Sequence, residues 1–235
     1  MTTPPTLSTD GAAVDASSPA GATLAIELDA QAPWPGLAAY DESSRAFFFG
    51  RGEESAELLR MVRLAPLTVI YGKSGLGKTS LLQAGLYPLL RAEHFLPVHL
   101  RLAFDPAAPL SPVRQAARKL QAALTAAGAD FPAQNDDEGL WCYLHRRHLE
   151  IWSRDNYPLT PVLIFDQFEE IFSRGQADPQ RSQATLDALA DLIENRIPAE
   201  LTVGGRGRRA LSDLDLQSQR YRIVLAFRED FLADV

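Results

Sequence analysis

The sequence predicts an α/β domain: a three-layer sandwich with a mostly parallel central sheet covered by helices on both faces. Two observations lead there. Short apolar runs rich in β-branched residues alternate with longer stretches of helical periodicity, the order expected of βαβ units and of a parallel sheet buried on both sides. The chain has 235 residues, 46% of them hydrophobic, enough for one sizeable core and a tight fit for two.

Residues 1 to about 30 are small and polar with no apolar period, and such a stretch buries too little surface to offset the entropy of ordering. They are expected to be a disordered tail, leaving 31–235 as the folded domain. From Pro33 the composition changes to Trp34, Pro35, Gly36, Leu37 and Tyr40. The aromatic run Phe47, Phe48, Phe49 follows and is expected to be buried. Glu53 to Arg63 places Leu58, Leu59 and Val62 at helical spacing, with Pro66 marking its end. Leu67 to Tyr71 has the pattern of a fully buried strand. After a Gly-rich turn, Lys78 to about His94 repeats leucine at 81, 82, 86, 89 and 90, a helix that Pro88 is expected to kink or shorten.

Leu96 to Leu102 is a second strand. Ser111 followed by Pro112 starts a helix that stops at Gly128. A further helix is expected from Glu138 to Ser153, with Trp141, Leu144, His148 and Trp152 roughly on one face. Pro161 to Asp166 is a third strand ending in an acid, Arg181 to Arg196 a helix, and Tyr221 to Phe227 a fourth strand. Residues 203–220, with Arg206, Arg208 and Arg209 among glycines, read as a solvated loop or short helix.

Composition excludes several classes of function. A net charge of −7 argues against a dedicated nucleic-acid binder, whose affinity comes from clustered Lys and Arg. Cys142 is the single cysteine, so no internal disulfide and no thiolate zinc site is available, which suits a reducing compartment. No apolar run reaches the ~18 residues of a membrane span, and Met1 to Ala20 lacks the basic and apolar regions of a secretory signal. A cytoplasmic location is expected. His145 and His148 lie three apart on the expected helix, but nothing nearby completes a metal site, and both read as ordinary helix residues.

The chemistry lies in Gly72, Lys73, Ser74, Gly75, Leu76, Gly77, Lys78 and Thr79. They match G-x-x-x-x-G-K-[ST] in the context the motif requires, a strand before and a helix after. Glycines let the backbone curl so that successive N–H groups face the β-phosphate of a nucleoside triphosphate, at the partly positive N-terminus of the helix that Ser80 continues. Lys78 is expected on the β- and γ-phosphates and the Thr79 hydroxyl on Mg²⁺. The fold class narrows to a P-loop NTPase. Asp166, at the tip of the third strand, is the candidate second metal ligand. Glu169 or Glu170 is the candidate to orient and deprotonate the attacking water, the alternative being a solvated acidic pair in a first helical turn. Arg228 ends the fourth strand on the same carboxyl edge, where a guanidinium can sense the γ-phosphate; an ion pair with Glu229 or Asp230 is the alternative.

Several segments together resemble the novel STAND NTPase family of prokaryotes, relatives of the NACHT and NB-ARC ATPases. They are Pro33 to Leu37 with Phe48, Phe49, Gly50, Arg51 and Glu54; the P-loop running into Leu81 to Leu90; Asp166 to Phe172; and Leu225 to Leu232. The resemblance covers about Pro33 to the C-terminus. It implies an ASCE/STAND-type core that binds ATP or ADP and acts as a signalling switch, with oligomerisation or a protein partner on activation, and antiviral defence as one setting by analogy. It also implies that the Phe49, Gly50, Arg51 turn covers the adenine and that Arg228 is the sensor. Such cores normally continue into a fifth strand, a helical or winged-helix part and a repeat sensor, so the resemblance implies either a fragment whose last strand lies beyond Val235, the favoured reading, or a reduced switch with its sensor on another polypeptide. Two rivals are weighed: a steadily turning-over AAA-like or DNA-processing ATPase, and a platform that binds nucleotide without hydrolysing it.

Overall fold

The computed structural model describes residues 28–29, 31–104, 108–202 and 211–233. The expected tail, apart from residues 28 and 29, and the Arg206, Arg208, Arg209 cluster lie outside them. Four parallel strands form the sheet among the described residues: β1 (Leu67–Gly72), β2 (Phe95–Leu100), β3 (Thr160–Asp166) and β4 (Arg222–Arg228), in the order β1-β4-β3-β2.

Period-2 alternation sorts the strand residues into two cores. Val162, Ile164, Val224 and Ala226 pack under α1 (Gly52–Leu64) and the helical column that follows the P-loop. Leu96, Leu100, Leu163, Phe165, Ile223, Leu225 and Phe227 face the opposite layer, made by α4 (Pro112–Ala127), α5 (Leu140–Leu144) and α7 (Pro179–Ile193). The three-layer sandwich is therefore present. Helix ends follow their chemistry. Ser111 Oγ accepts from Arg114 N at 3.3 Å to cap α4, Gly128 closes it at φ 62°, and Asp178 caps α7 through Arg181 N at 3.0 Å.

The column after the P-loop runs α2 (Lys78–Ser80), a π segment (Leu81–Leu86) and α3 (Tyr87–Ala92) without a break. Pro88 does not interrupt it. The proline falls in the first turn of α3, where the wider π spacing gives way to α geometry, a position that tolerates a missing N–H. Gly85 brings this column against α1: a Cβ there would lie 2.3 Å from Ser55 Oγ, which is itself held by the Arg51 carbonyl at 2.7 Å. Gly85→Ala is expected to lower stability by about 1–3 kcal/mol as overpacking, read as a fall in the denaturant midpoint at unchanged slope.

Three expectations are corrected. Among the described residues β1 is an edge strand rather than a fully buried one, with Val69 39% and Tyr71 56% exposed on the face they share with Leu225 and Phe227, beyond the reach of α4, α5 and α7. The aromatic run is only partly buried: Phe48 packs against Tyr40 and the α1 core, while the 3-10 turn Arg45–Phe47 leaves Phe49 79% exposed. The helix expected from Glu138 to Ser153 ends at Leu144. Beyond it the backbone pairs elsewhere: Arg147 N donates to Asp213 O at 2.9 Å and Asp215 N to His145 O at 2.7 Å, and Trp152 bridges Asp130 and Pro158. His145 is buried against Trp141, with ring nitrogens 2.7 Å from Trp141 O and 2.7 Å from Asn195 Oδ1. Among the described residues no group of three or more His, Cys, Asp or Glu is placed to hold a metal, and no helix is long and apolar enough to cross a membrane.

Candidate functional site

The parallel register puts the tips of three strands side by side. Gly72 at the end of β1 is level with Arg228 at the end of β4, and Asp166 at the end of β3 with Ala226. Ligands of open parallel sheets bind at this carboxyl edge. From Gly72 the chain turns through Gly75 (φ 80°) and Gly77 (φ 76°), backbone conformations that a side chain would strain, and enters α2 at Lys78. Leu81 N donates to Gly77 O at 2.8 Å, so the column starts directly from the loop. The loop is thus a run of backbone amides ending on a helix N-terminus.

Lys78 Nζ donates to the Gly72 carbonyl at 2.7 Å and the Lys73 carbonyl at 3.0 Å, which holds the ammonium over the loop. Thr79 Oγ1 donates to Asp166 Oδ2 at 2.8 Å, a contact between residues 87 positions apart. Asp166 is buried, and its other oxygen accepts from Gln167 N at 3.0 Å. Gln167 itself takes φ 57°, and this bend after β3 carries Phe168 N back to Ala226 O at 2.9 Å. A hydroxyl beside a carboxylate is a hard oxygen pair. It suits Mg²⁺, which takes one or two protein ligands and completes its shell with phosphate oxygens and water.

The acidic pair after β3 divides. Glu169 lines the cleft, and its Oε2 is buried with no hydrogen-bond partner among the described residues. Glu170, the first residue of α6 (Glu170–Ser173), points away from the cleft to Arg101 at 3.2 Å and Arg174 at 3.5 Å. Arg228 also lines the cleft, and its guanidinium is ion-paired with Asp230.

Lys78, Thr79, Ser80, Ser74, Gly75, Gly77, Asp166, Gln167, Glu169 and Arg228 surround one cleft of about 570 Å³, within the usual range of small-molecule sites. Its remaining wall is Trp34 to Tyr40, tied to the P-loop column by Tyr40 N donating to Ser80 Oγ at 3.1 Å. Sequence reasoning assigned no role to this wall or to Gln167. The left-handed bend at Gln167 has no sequence signal, whereas a Pro-Gly pair such as Pro35-Gly36 is a turn signal that could have pointed to the wall. Gly50 and Arg51 are not in the cleft. Arg51 lies on the outer side of the loop, donating from Nη1 to Leu76 O at 3.0 Å and pairing with Glu54 at 2.9 Å.

The family model for novel STAND NTPase 1 matches residues 33–235. The chain belongs to the novel STAND NTPase family. As a STAND-type P-loop NTPase module it is a nucleotide-binding protein, in keeping with its all-parallel sheet and the loop at the sheet's carboxyl edge. Neither the curated proteins nor the solved structures contain a match to it.

Proposed function

We propose that this STAND module binds ATP with Mg²⁺ in the Gly72–Thr79 cleft and hydrolyses it slowly, so that the bound nucleotide selects between two arrangements of the protein. The observation that carries the proposal is the Thr79 to Asp166 hydrogen bond, which brings together the two candidate metal ligands beside Lys78. Bound there, Mg²⁺ would neutralise charge developing on the β- and γ-phosphates.

The side chains supply the rest. Lys78 would exchange the Gly72 and Lys73 carbonyls for phosphate oxygens, while the loop amides hold the β-phosphate. Glu169, with a buried carboxylate oxygen that has no partner among the described residues, is the better placed of the two acids to accept a proton from water. Glu170 holds Arg101 and Arg174 instead. Arg228 would report the γ-phosphate by leaving Asp230 for it, and a ligand shifts a two-state equilibrium only through such contacts made in one state. Arg51 supports the loop from outside and would reach a base only at that flank. The same proposal extends to assembly with further copies or a protein partner and to a setting in prokaryotic signalling or defence, with membership of the family as its support.

Phosphate release measured with ATP, with and without DNA, tests this reading. Slow release that DNA does not change is expected. Strong stimulation by DNA would favour a DNA-processing ATPase, and no release at all would favour a binding platform.

A further inference from the structure

The wall facing β3 across the cleft comes from neither the P-loop nor a strand. It is the segment Trp34 to Tyr40, which bends at Gly36 (φ 65°) and closes a turn through Ala38 N to Pro35 O at 3.2 Å. Tyr40 anchors it three ways. Its N–H donates to Ser80 Oγ at 3.1 Å, its hydroxyl donates to the Pro33 carbonyl at 3.0 Å, and its ring packs on Phe48 at 5.7 Å. Trp34 is 75% exposed and Leu37 fully exposed, so the segment holds two large apolar side chains against water.

Its course places it on one side of the P-loop column. Glu42 pairs with Arg91 at 2.9 Å, and the turn Asp41–Ser43 shares a surface with Pro97 and His99 of β2. The segment therefore approaches along the flank of the P-loop column that faces β2 and β3, the side on which Thr79 meets Asp166. Arg51 supports the loop outside this cleft, through Leu76 O. Thr79 and Asp166 would hold a metal ion in the cleft, which would supply positive charge to the terminal phosphates. With the phosphates on the loop amides, a third phosphate would extend toward the space lined by Asp166, Glu169, Arg228 and the Trp34–Tyr40 segment, and a diphosphate would leave that space empty.

We propose that Trp34–Tyr40 is the γ-phosphate wall of the site, through which the protein distinguishes a triphosphate from a diphosphate. The proposal depends on nucleotide occupying the cleft as set out above. Covering the γ-phosphate with Trp34 and Leu37 excludes water, and drier surroundings strengthen the contacts of Lys78 and Arg228 to it. The same closure buries apolar surface that is exposed without the triphosphate.

Equilibrium titration of the full chain with ATP and with ADP, both with Mg²⁺, tests this on Trp34→Ala and Leu37→Ala. Both side chains are exposed, so folding is not at risk. ATP affinity is expected to fall about five- to tenfold and ADP affinity by less than about twofold. Tryptophan emission gives a second readout. It should change with the non-hydrolysable analogue AMP-PNP and not with ADP, and Trp34→Phe should remove the change. Equal loss of ATP and ADP affinity, or no loss of either together with unchanged emission, would overturn the proposal. Failure of the unmodified chain to bind either nucleotide would instead overturn the site reading beneath it.

Discussion

Replacing Lys78 by alanine is expected to weaken ATP binding by about 10- to 100-fold, the worth of one charge-assisted hydrogen bond at roughly 1.5–3 kcal/mol. The ammonium makes its hydrogen bonds to Gly72 O and Lys73 O, carbonyls of the loop that it would leave for phosphate. Removing it leaves the glycine backbone free to hold its curl, because Gly75 and Gly77 set that curl by their own positive φ angles. The thermal midpoint without nucleotide should therefore change little, while the shift caused by ATP largely disappears. Lys78→Arg is not a conservative control, since the fork of a guanidinium does not fit where a point charge sits over the loop. An unchanged ATP affinity in Lys78→Ala would remove the loop from the binding account.

The second large effect separates two neighbouring acids. Glu169→Gln is expected to slow phosphate release by about 10²- to 10⁴-fold, the usual contribution of a general base, while ATP affinity stays within a few-fold of the unmodified chain. Glu170→Gln should leave the chemical step largely intact and act on stability, because its carboxylate serves Arg101 and Arg174. Each of these pairs is partly exposed on the arginine side, so the stability cost is expected to be small, about 1 kcal/mol or less. Single-turnover phosphate release on both variants reads the difference directly. A reversal, with Glu170→Gln the slower of the two, would mean that the acids exchange places when nucleotide binds.

These two residues show where sequence reasoning ends. Glu169 and Glu170 are adjacent and chemically alike, three and four positions after Asp166 along the chain. What separates them is Arg101, which follows β2 and lies 69 positions away. The same limit applies to the cleft's third wall, since the Tyr40 to Ser80 hydrogen bond spans 40 positions and neither residue signals the other. Local signals, by contrast, carried through. The Ser111-Pro112 start and Gly128 stop of α4 are complete within the helix and its caps. The P-loop is complete within eight residues. The carboxyl-edge placement of Asp166 and Arg228 follows from parallel strands alone.

Where the sequence misled, tertiary pairing was the cause. Glu138 to Ser153 has helical spacing, but the backbone from His145 to Arg147 finds partners in Asp213 and Asp215, and this competing arrangement wins over a modest local preference. β1 reads as buried because its residues are apolar and β-branched. A run of that kind does not state whether a helix covers both faces, and here Val69 and Tyr71 lie beyond the reach of α4, α5 and α7.

Lys78, Thr79 and Asp166 are expected to act jointly, holding a triphosphate together with its metal. Calorimetric titration of ATP into the protein, once with Mg²⁺ and once with a chelator, tests that most directly. Saturable one-site binding that weakens at least about tenfold without Mg²⁺ is expected, with the metal dependence largely lost in Asp166→Asn. Binding of equal strength with and without Mg²⁺, or no binding in either case, would contradict it.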